Sequence, residues 1–204
     1  MEIPLRGDRQ PARVADVLEL LERHHGPFVW RSRADPVSEL IQTVLSQNTS
    51  DVNSGRAFAC LKATFPTWEA VANADTQKLA AAIQTGGLGR IKAPRIQAIL
   101  RSLEEQRGSF DLSFLRETPL AEAKKWLRSL PGVGPKTAAC VLLFSLGLPA
   151  LPVDTHVYRV ARRLGLIPQK ASPDAAHDIL ESIVPAKDIY RFHMGLIAHG
   201  RQVC

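Results

Sequence analysis

A glycine-rich turn followed at once by a lysine is the segment of this chain best suited to chemistry. It covers residues 130–138 and reads LPGVGPKTA. Gly132 and Gly134 can adopt positive φ angles and bring backbone N–H groups close to an external partner. A helix predicted to start near Pro135 adds free N–H groups and the positive end of its dipole. The segment therefore predicts a phosphate site contacted through backbone atoms, without base specificity.

Lys136 falls in the first turn of that predicted helix, where the helix dipole disfavours a positive charge. The same field, together with partial burial, favours a neutral amine that can attack carbon as a nucleophile. A lysine that only contacts phosphate is an equally good interpretation of this motif taken alone.

An aspartate, Asp154, lies in a second informative segment, PVDTHVYRV at residues 152–160. Its side chain is expected to cap the helix that begins there. A carboxylate fixed in this way could also face the lysine amine, move protons and balance the positive charge on a sugar cation. Further along, Arg159, Arg162 and Arg163 fall at helical spacing and predict either a basic, DNA-facing surface or a merely solvated one.

The elements that must position these residues are all predicted to be helices, because apolar residues recur at helical spacing along almost the whole chain. Asp35 is expected to cap the second helix, with Pro36 at its first position, and Asp51 to cap the third. Residues 135–146 are nearly all apolar and predict a central buried helix that ends at Gly147. No segment alternates convincingly as a strand would, so the predicted fold is all-α.

Composition indicates a folded, basic protein, whose charge suits either a polyanionic partner or simply a soluble surface. The chain has 204 residues, of which 45% are hydrophobic, and a formal net charge of +6. That length suits one domain or two small lobes, and the basic balance favours a polyanion such as nucleic acid. We find no secretory signal and no apolar run long enough for a membrane span, and therefore expect a cytoplasmic, nucleoid-associated protein.

Together, the segments at residues 130–138 and 153–156 resemble those of the helix-hairpin-helix, Gly-Pro-Asp (HhH-GPD) superfamily of DNA glycosylases. Within it, the chain is similar to endonuclease III from about Pro36 to Cys204. The resemblance implies a six-helix barrel lobe at residues 28–148, with the hairpin at about 120–146, and a second helical lobe from residues 1–27 and 149–204. It also implies a monomer that acts on double-stranded DNA, with the damaged nucleotide bound between the lobes.

The activity implied by the resemblance is that of a bifunctional DNA glycosylase and AP lyase, with oxidised pyrimidines as the expected lesions. Lys136 matches the family's Schiff-base lysine and Asp154 its catalytic aspartate. Residues 45–51 resemble the loop that fills the gap left by a flipped base, with either Gln47 or Asn48 as the filler, and Leu88 matches a wedge on the facing loop. The resemblance assigns further DNA contacts to Gly132, Val133, Gly134, Thr137, His156 and Arg159.

The end of the sequence resembles the approach to the family's iron–sulfur loop, through His199-Gly200-Arg201 and Cys204. That loop uses four cysteines, and a [4Fe–4S] cluster cannot be completed from Cys204 alone. The other two cysteines, Cys60 and Cys140, are widely spaced in apolar helical segments and are expected to be small core residues. Either the natural product continues and Cys204 is its first cluster ligand, which we expect, or this member lacks the cluster.

Two other functions stay open at this point. A mismatch-type glycosylase of the same superfamily would only hydrolyse the base, but such relatives commonly replace the lysine found here at Lys136. A non-enzymatic helix-hairpin-helix module would bind DNA through the glycines and would have no use for Asp154 at this spacing.

Overall fold

The computed structural model describes residues 13–204, and in that part of the chain every regular element is helical. The all-α prediction is confirmed. The helices are α1 (Val14–His25), α2 (Pro36–Ser46), α3 (Asp51–Thr64), α4 (Trp68–Asn73), α5 (Thr76–Ala82), α6 (Gly89–Arg107), α7 (Leu120–Ser129), α8 (Pro135–Cys140), α9 (Thr155–Arg163), α10 (Pro173–Ile183) and α11 (Ile189–Gln202). Short 3₁₀ turns lie at Gln84–Gly86, Ser113–Arg116 and Ala186–Asp188.

The chain divides into two compact units. One unit, Arg31–Ala150, contains α2 to α8, and the other combines the segment up to Trp30 with Leu151–Cys204. Residues 1–12, which the sequence assigned to the second lobe, lie outside the described residues.

Helix α2 is the core element of the first unit. Leu40, Ile41, Val44 and Leu45 are fully buried, and α2 packs against α3, α6 and α8. A helix that is buried on nearly all sides must lie in the middle of other elements, and its buried polar side chains need partners there. The position of α2 therefore determines where its two ends, and the loops attached to them, are placed.

The predicted caps are mostly confirmed. The Asp35 side chain accepts a hydrogen bond from the Ser38 amide at 2.9 Å, and Pro36 occupies the first turn of α2. The prediction that Asp51 caps the third helix is wrong, because Ser50 does so by accepting a bond from the Asn53 amide. Serine caps about as well as aspartate, and the acid one position later still lies at the favourable end of the helix dipole.

The predicted buried helix at residues 135–146 is confirmed, with one local change. It is α-helical to Cys140 and π-helical over Val141–Ser145, and Gly147 ends it with φ of +71°. Residues 137–146 are all buried. A π-helical turn widens the backbone locally and is frequent near functional sites.

In the second unit, α11 is the central helix and packs against α1 and α9. Gly195 permits the approach of α1, since a Cβ atom there would lie 3.0 Å from the Leu21 side chain.

Of the helices within residues 13–204, none combines the length and apolar content that a bilayer crossing requires.

The close packing of α5 on α6 gives a test of the fold. A Cβ atom at Gly89 would lie 2.6 Å from the Ala80 carbonyl oxygen, a backbone atom that cannot move aside cheaply. We expect Gly89→Ala to lower the free energy of unfolding by about 1–3 kcal/mol, the usual cost of overpacking.

The matched control is Gly55→Ala in the interior of α3, where a Cβ atom would meet nothing within 4 Å. This change should raise the free energy of unfolding by about 0.5–1 kcal/mol, because alanine is the better helix former. Urea denaturation of both variants measures the difference, and equal stabilities would contradict the described packing of α5 on α6.

Candidate functional site

The predicted hairpin connects α7 to α8. Gly132 has φ of +72°, and the Val133 amide donates to the Leu130 carbonyl at 3.1 Å to close the turn. Val133 is 6% exposed and anchors the turn in the core. Gly134 does not use the positive φ angles open to glycine; it has φ of −89° and serves as the N-cap of α8. Because α8 follows directly, extended backbone at the N-cap is sufficient to enter the helix.

The start of α8 is open to an external partner. No side chain caps it, and a Cβ atom at Gly134 would meet nothing within 4 Å. The first turn of a helix leaves backbone N–H groups without intrahelical partners, and Thr137 carries one of them. The side chain of Thr137 is itself 3% exposed, so only its backbone is suited to an external contact.

Lys136 follows Pro135 in the first turn of α8 and is half-buried. It interacts electrostatically with Glu39, a carboxyl group of α2 that is only 6% exposed. Burial raises the pKa of Glu39 above its ordinary value, while the charges of Arg33 and Lys136 and a hydrogen bond from Thr43 oppose that rise. That bond runs from Thr43 Oγ1 to Glu39 Oε1 at 3.4 Å.

Glu39 is a residue that the sequence analysis missed. An acid in the first turn of a helix is commonly there to complement the helix dipole, and nothing in the local sequence distinguishes Glu39 from that case. Its interaction with Lys136 depends on the packing of α2 against α8, which are far apart in the sequence.

Two loops of the same unit contain the residues predicted to probe the duplex. Gln47 ends α2, and its Oε1 atom accepts a hydrogen bond from Arg95 Nη1 at 2.9 Å. The next residue, Asn48, is exposed and left-handed with φ of 53°. Leu88 also has φ of 53° and is 47% exposed at the start of α6. Within residues 13–204, these are the only two non-glycine residues with positive φ.

Asp154 belongs to the second unit, where it caps α9. Its Oδ1 atom accepts from the Val157 amide at 2.8 Å, so the predicted capping role is confirmed. The extended segment before it is fixed by α10 and α11. His177 donates to the Leu151 carbonyl, and His193 donates to the Pro152 carbonyl, each at 2.9 Å. The carboxylate is therefore held by its own helix and by the segment that leads to it.

His156 and Arg159, predicted to contact DNA, lie on α9 and pack against α11. Arg159 Nη2 donates to the Gly200 carbonyl at 2.8 Å and lies 3.1 Å from His156 Nδ1. A Cβ atom at Gly200 would come within 2.9 Å of His156. These contacts give both residues a role in joining α9 to α11, and a DNA contact by either stays a prediction.

The part of the chain that the structure describes forms no metal centre. Among residues 13–204 there is no group of three or more His, Cys, Asp or Glu side chains able to hold a metal ion. Cys204 is exposed just after the end of α11, Cys60 is exposed and Cys140 is buried. A four-thiolate cluster needs ligands that this part of the chain does not bring together, so the cluster stays a prediction.

Comparison with known proteins places this chain in a family. The model of the HhH-GPD superfamily base excision DNA repair proteins matches residues 41–186. A candidate DNA glycosylase from Arabidopsis thaliana is 42% identical over 162 residues, which are 79% of this chain and 55% of that protein. Endonuclease III from Thermotoga maritima is 33% identical over 189 residues, covering 93% of this chain and 81% of that enzyme.

A solved structure agrees with these relatives. A trapped covalent intermediate between endonuclease III and DNA superposes with a TM-score of 0.77 and 26% identity, covering 92% of this chain and 84% of that one. The chain thus spans about half of the plant relative and most of endonuclease III. The chain belongs to the HhH-GPD superfamily of base-excision DNA repair proteins and is endonuclease III-like.

Proposed function

We propose that this protein is a bifunctional DNA glycosylase and AP lyase with Lys136 as its nucleophile. The observation that carries the proposal is the placement of a half-buried lysine in the first turn of α8, directly behind an open hairpin. Family membership supports it, as does the likeness to an endonuclease III structure in which enzyme and DNA are covalently joined. The partner is double-stranded DNA with a damaged base or an abasic site.

In the binding step, the hairpin and basic side chains hold the phosphate backbone, and the damaged nucleotide leaves the base stack. Leu88, which is exposed, acts as the wedge. Of the two candidates for the gap-filling residue, we favour Asn48. Its side chain is exposed, whereas the amide of Gln47 is already engaged by Arg95.

In the glycosylase step, the neutral amine of Lys136 bonds to the sugar C1′ atom as the bond from C1′ to the base breaks. The base leaves as an anion and takes up a proton from solvent. Asp154 accepts the proton that the attacking amine loses and balances the positive charge that develops on the sugar. The C1′–O4′ bond then opens, O4′ takes up a proton, and an iminium joins Lys136 to C1′.

In the lyase step, the iminium acidifies the C2′ proton. Loss of that proton forms a double bond between C2′ and C3′, and the 3′ phosphate leaves, which cuts the strand 3′ to the lesion. Water hydrolyses the iminium and restores Lys136. This sequence of steps needs no redox reaction.

We propose oxidised pyrimidines as the first substrates to test, by analogy with endonuclease III. The experiment is incision of duplex oligonucleotides that contain thymine glycol, an abasic site or a mismatch. Base loss and strand cleavage at thymine glycol would support the proposal. Base loss without cleavage would indicate a monofunctional, mismatch-type enzyme, and binding without either reaction would indicate a DNA-binding module.

The covalent role of Lys136 gives a direct prediction. Borohydride present during reaction with abasic-site DNA should reduce the iminium and trap a protein–DNA adduct on a denaturing gel. Lys136→Ala should abolish the adduct, whereas Lys125→Ala, an exposed lysine on α7, should leave it unchanged. Undiminished trapping in Lys136→Ala would show that another amine is the nucleophile.

The capping role of Asp154 and its proposed catalytic role can be separated by making the same substitution at two helix caps. Asparagine caps a helix about as well as aspartate, so Asp154→Asn and Asp35→Asn should both keep most of their stability. Asp154→Asn should nevertheless lose glycosylase turnover by roughly 10²-fold or more, the scale of acid–base assistance. If the two variants retain similar single-turnover rates, Asp154 is structural only.

The hairpin contact with phosphate can be tested at Gly134. A methyl group there fits the fold, because its space is open, but it would stand over the free N–H groups of α8. We expect Gly134→Ala to weaken DNA binding and to reduce the slope of log affinity against log salt by about 0.9 for each phosphate that the variant no longer neutralises. Fluorescence anisotropy at several salt concentrations measures the slope, and an unchanged slope would exclude the hairpin as a phosphate-binding element.

A further inference from the structure

A buried cation in α6 is not used by the mechanism above. Lys92 is 2% exposed and is among the largest fully buried side chains of the described residues. Its Nζ atom donates to the Leu45 carbonyl at 2.7 Å and to the Gly86 carbonyl at 2.8 Å. Burial lowers the pKa of Lys92 below its ordinary value. An ammonium group is costly to bury, and here it is compensated by two short bonds to backbone oxygens.

The two carbonyls that Lys92 bridges lie immediately before the two loops that contain Asn48 and Leu88, the residues predicted to enter the duplex. Leu45 is in the last turn of α2, and Gly86 ends a 3₁₀ turn. Neither carbonyl therefore has an amide of its own helix as a hydrogen-bond donor. After Leu45 comes the loop with Asn48, and after Gly86 the loop with Leu88. Both loops contain a non-glycine residue in the left-handed region. Asparagine adopts this conformation readily, but at Leu88 it persists only where the surroundings impose it.

One turn later, Arg95 extends the same arrangement. It donates to Gln47 Oε1, and its side chain lies against the hairpin, since a Cβ atom at Gly132 would be 2.8 Å from Arg95 Cδ and Nε. The first two turns of α6 therefore contact both probing loops and the hairpin.

We propose that Lys92 is a positioning residue that holds the Asn48 loop and the Leu88 loop at a fixed separation, so that both enter the duplex at the same nucleotide. A single ammonium group suits this task because its three N–H donors can bond two carbonyls at once. An apolar side chain would fill the space but would leave both carbonyls unpaired, and the loops would move independently. The inference rests on the proposed action on DNA.

The test compares Lys92→Met with Arg101→Met in the full chain. Methionine keeps the length of the side chain at residue 92 but has no donor. Arg101 is a matched control, because it also lies on α6 and donates to a backbone carbonyl, that of Ala72, at 3.2 and 3.1 Å. Ala72 is in α4, away from the two loops in the sequence.

Three quantities are measured for each protein. The first is affinity for undamaged duplex, the second is affinity for duplex with a tetrahydrofuran abasic-site analogue, and the third is fluorescence of 2-aminopurine placed opposite that analogue, which reports unstacking. Lys92→Met should bind undamaged duplex as the wild type does. It should lose about tenfold or more of its affinity for the analogue, equivalent to about 1.4 kcal/mol, together with most of the fluorescence change.

Each outcome decides something. If Lys92→Met and Arg101→Met bind the analogue equally well and give the same fluorescence, the positioning role is overturned while the proposed function stands. If the wild type itself does not prefer the analogue to undamaged duplex, the proposed function fails and this inference with it. If Lys92→Met does not fold at about 10 °C even with trimethylamine N-oxide, which strengthens burial, Lys92 is a core residue and the positioning role is overturned as well.

Discussion

The burial of α2 on nearly every side is the constraint on which the first unit depends. Its apolar residues pack against α3, α6 and α8, and this packing fixes both ends of the helix and its polar groups. Glu39 interacts with the charges of Arg33 and Lys136, the Leu45 carbonyl accepts a hydrogen bond from the ammonium of Lys92, and Gln47 begins the loop that follows. A shift of α2 would therefore move Glu39, which interacts with the candidate nucleophile Lys136, together with the loop that contains Asn48.

A buried carboxyl group, Glu39, makes the stability of this unit depend on pH. Because burial raises the pKa of Glu39, the folded protein holds this proton more tightly than the unfolded chain does. Folding stability from this group is complete below the ordinary pKa and is lost as pH rises through the folded value. Replacing a buried ionisable group by a well-packed apolar residue is often neutral or stabilising.

The second unit positions Asp154 by different means. Its segment is fixed through backbone carbonyls bonded by His177 and His193, and its carboxylate is fixed by the amide of Val157. Capping and the proposed catalytic role do not compete in this arrangement, because the cap occupies one carboxylate oxygen and leaves lone pairs for a proton. The sequence motif around Asp154 thus fixes the position of the carboxylate and leaves it lone pairs that can accept a proton.

Sequence by itself determined the features that depend on near neighbours in the chain. The caps Asp35 and Asp154 and the buried helix after Pro135 each follow from a few adjacent residues, and the structure contains all three. Only the tertiary structure decided the roles of Glu39 and Lys92, each of which looks in the sequence like an ordinary solvated charge on a helix. Their partners, the Lys136 amine and the Leu45 carbonyl, lie on other elements. Burial and long-range hydrogen bonds form only when helices pack. A pattern of neighbouring residues therefore does not predict which distant group a side chain will contact.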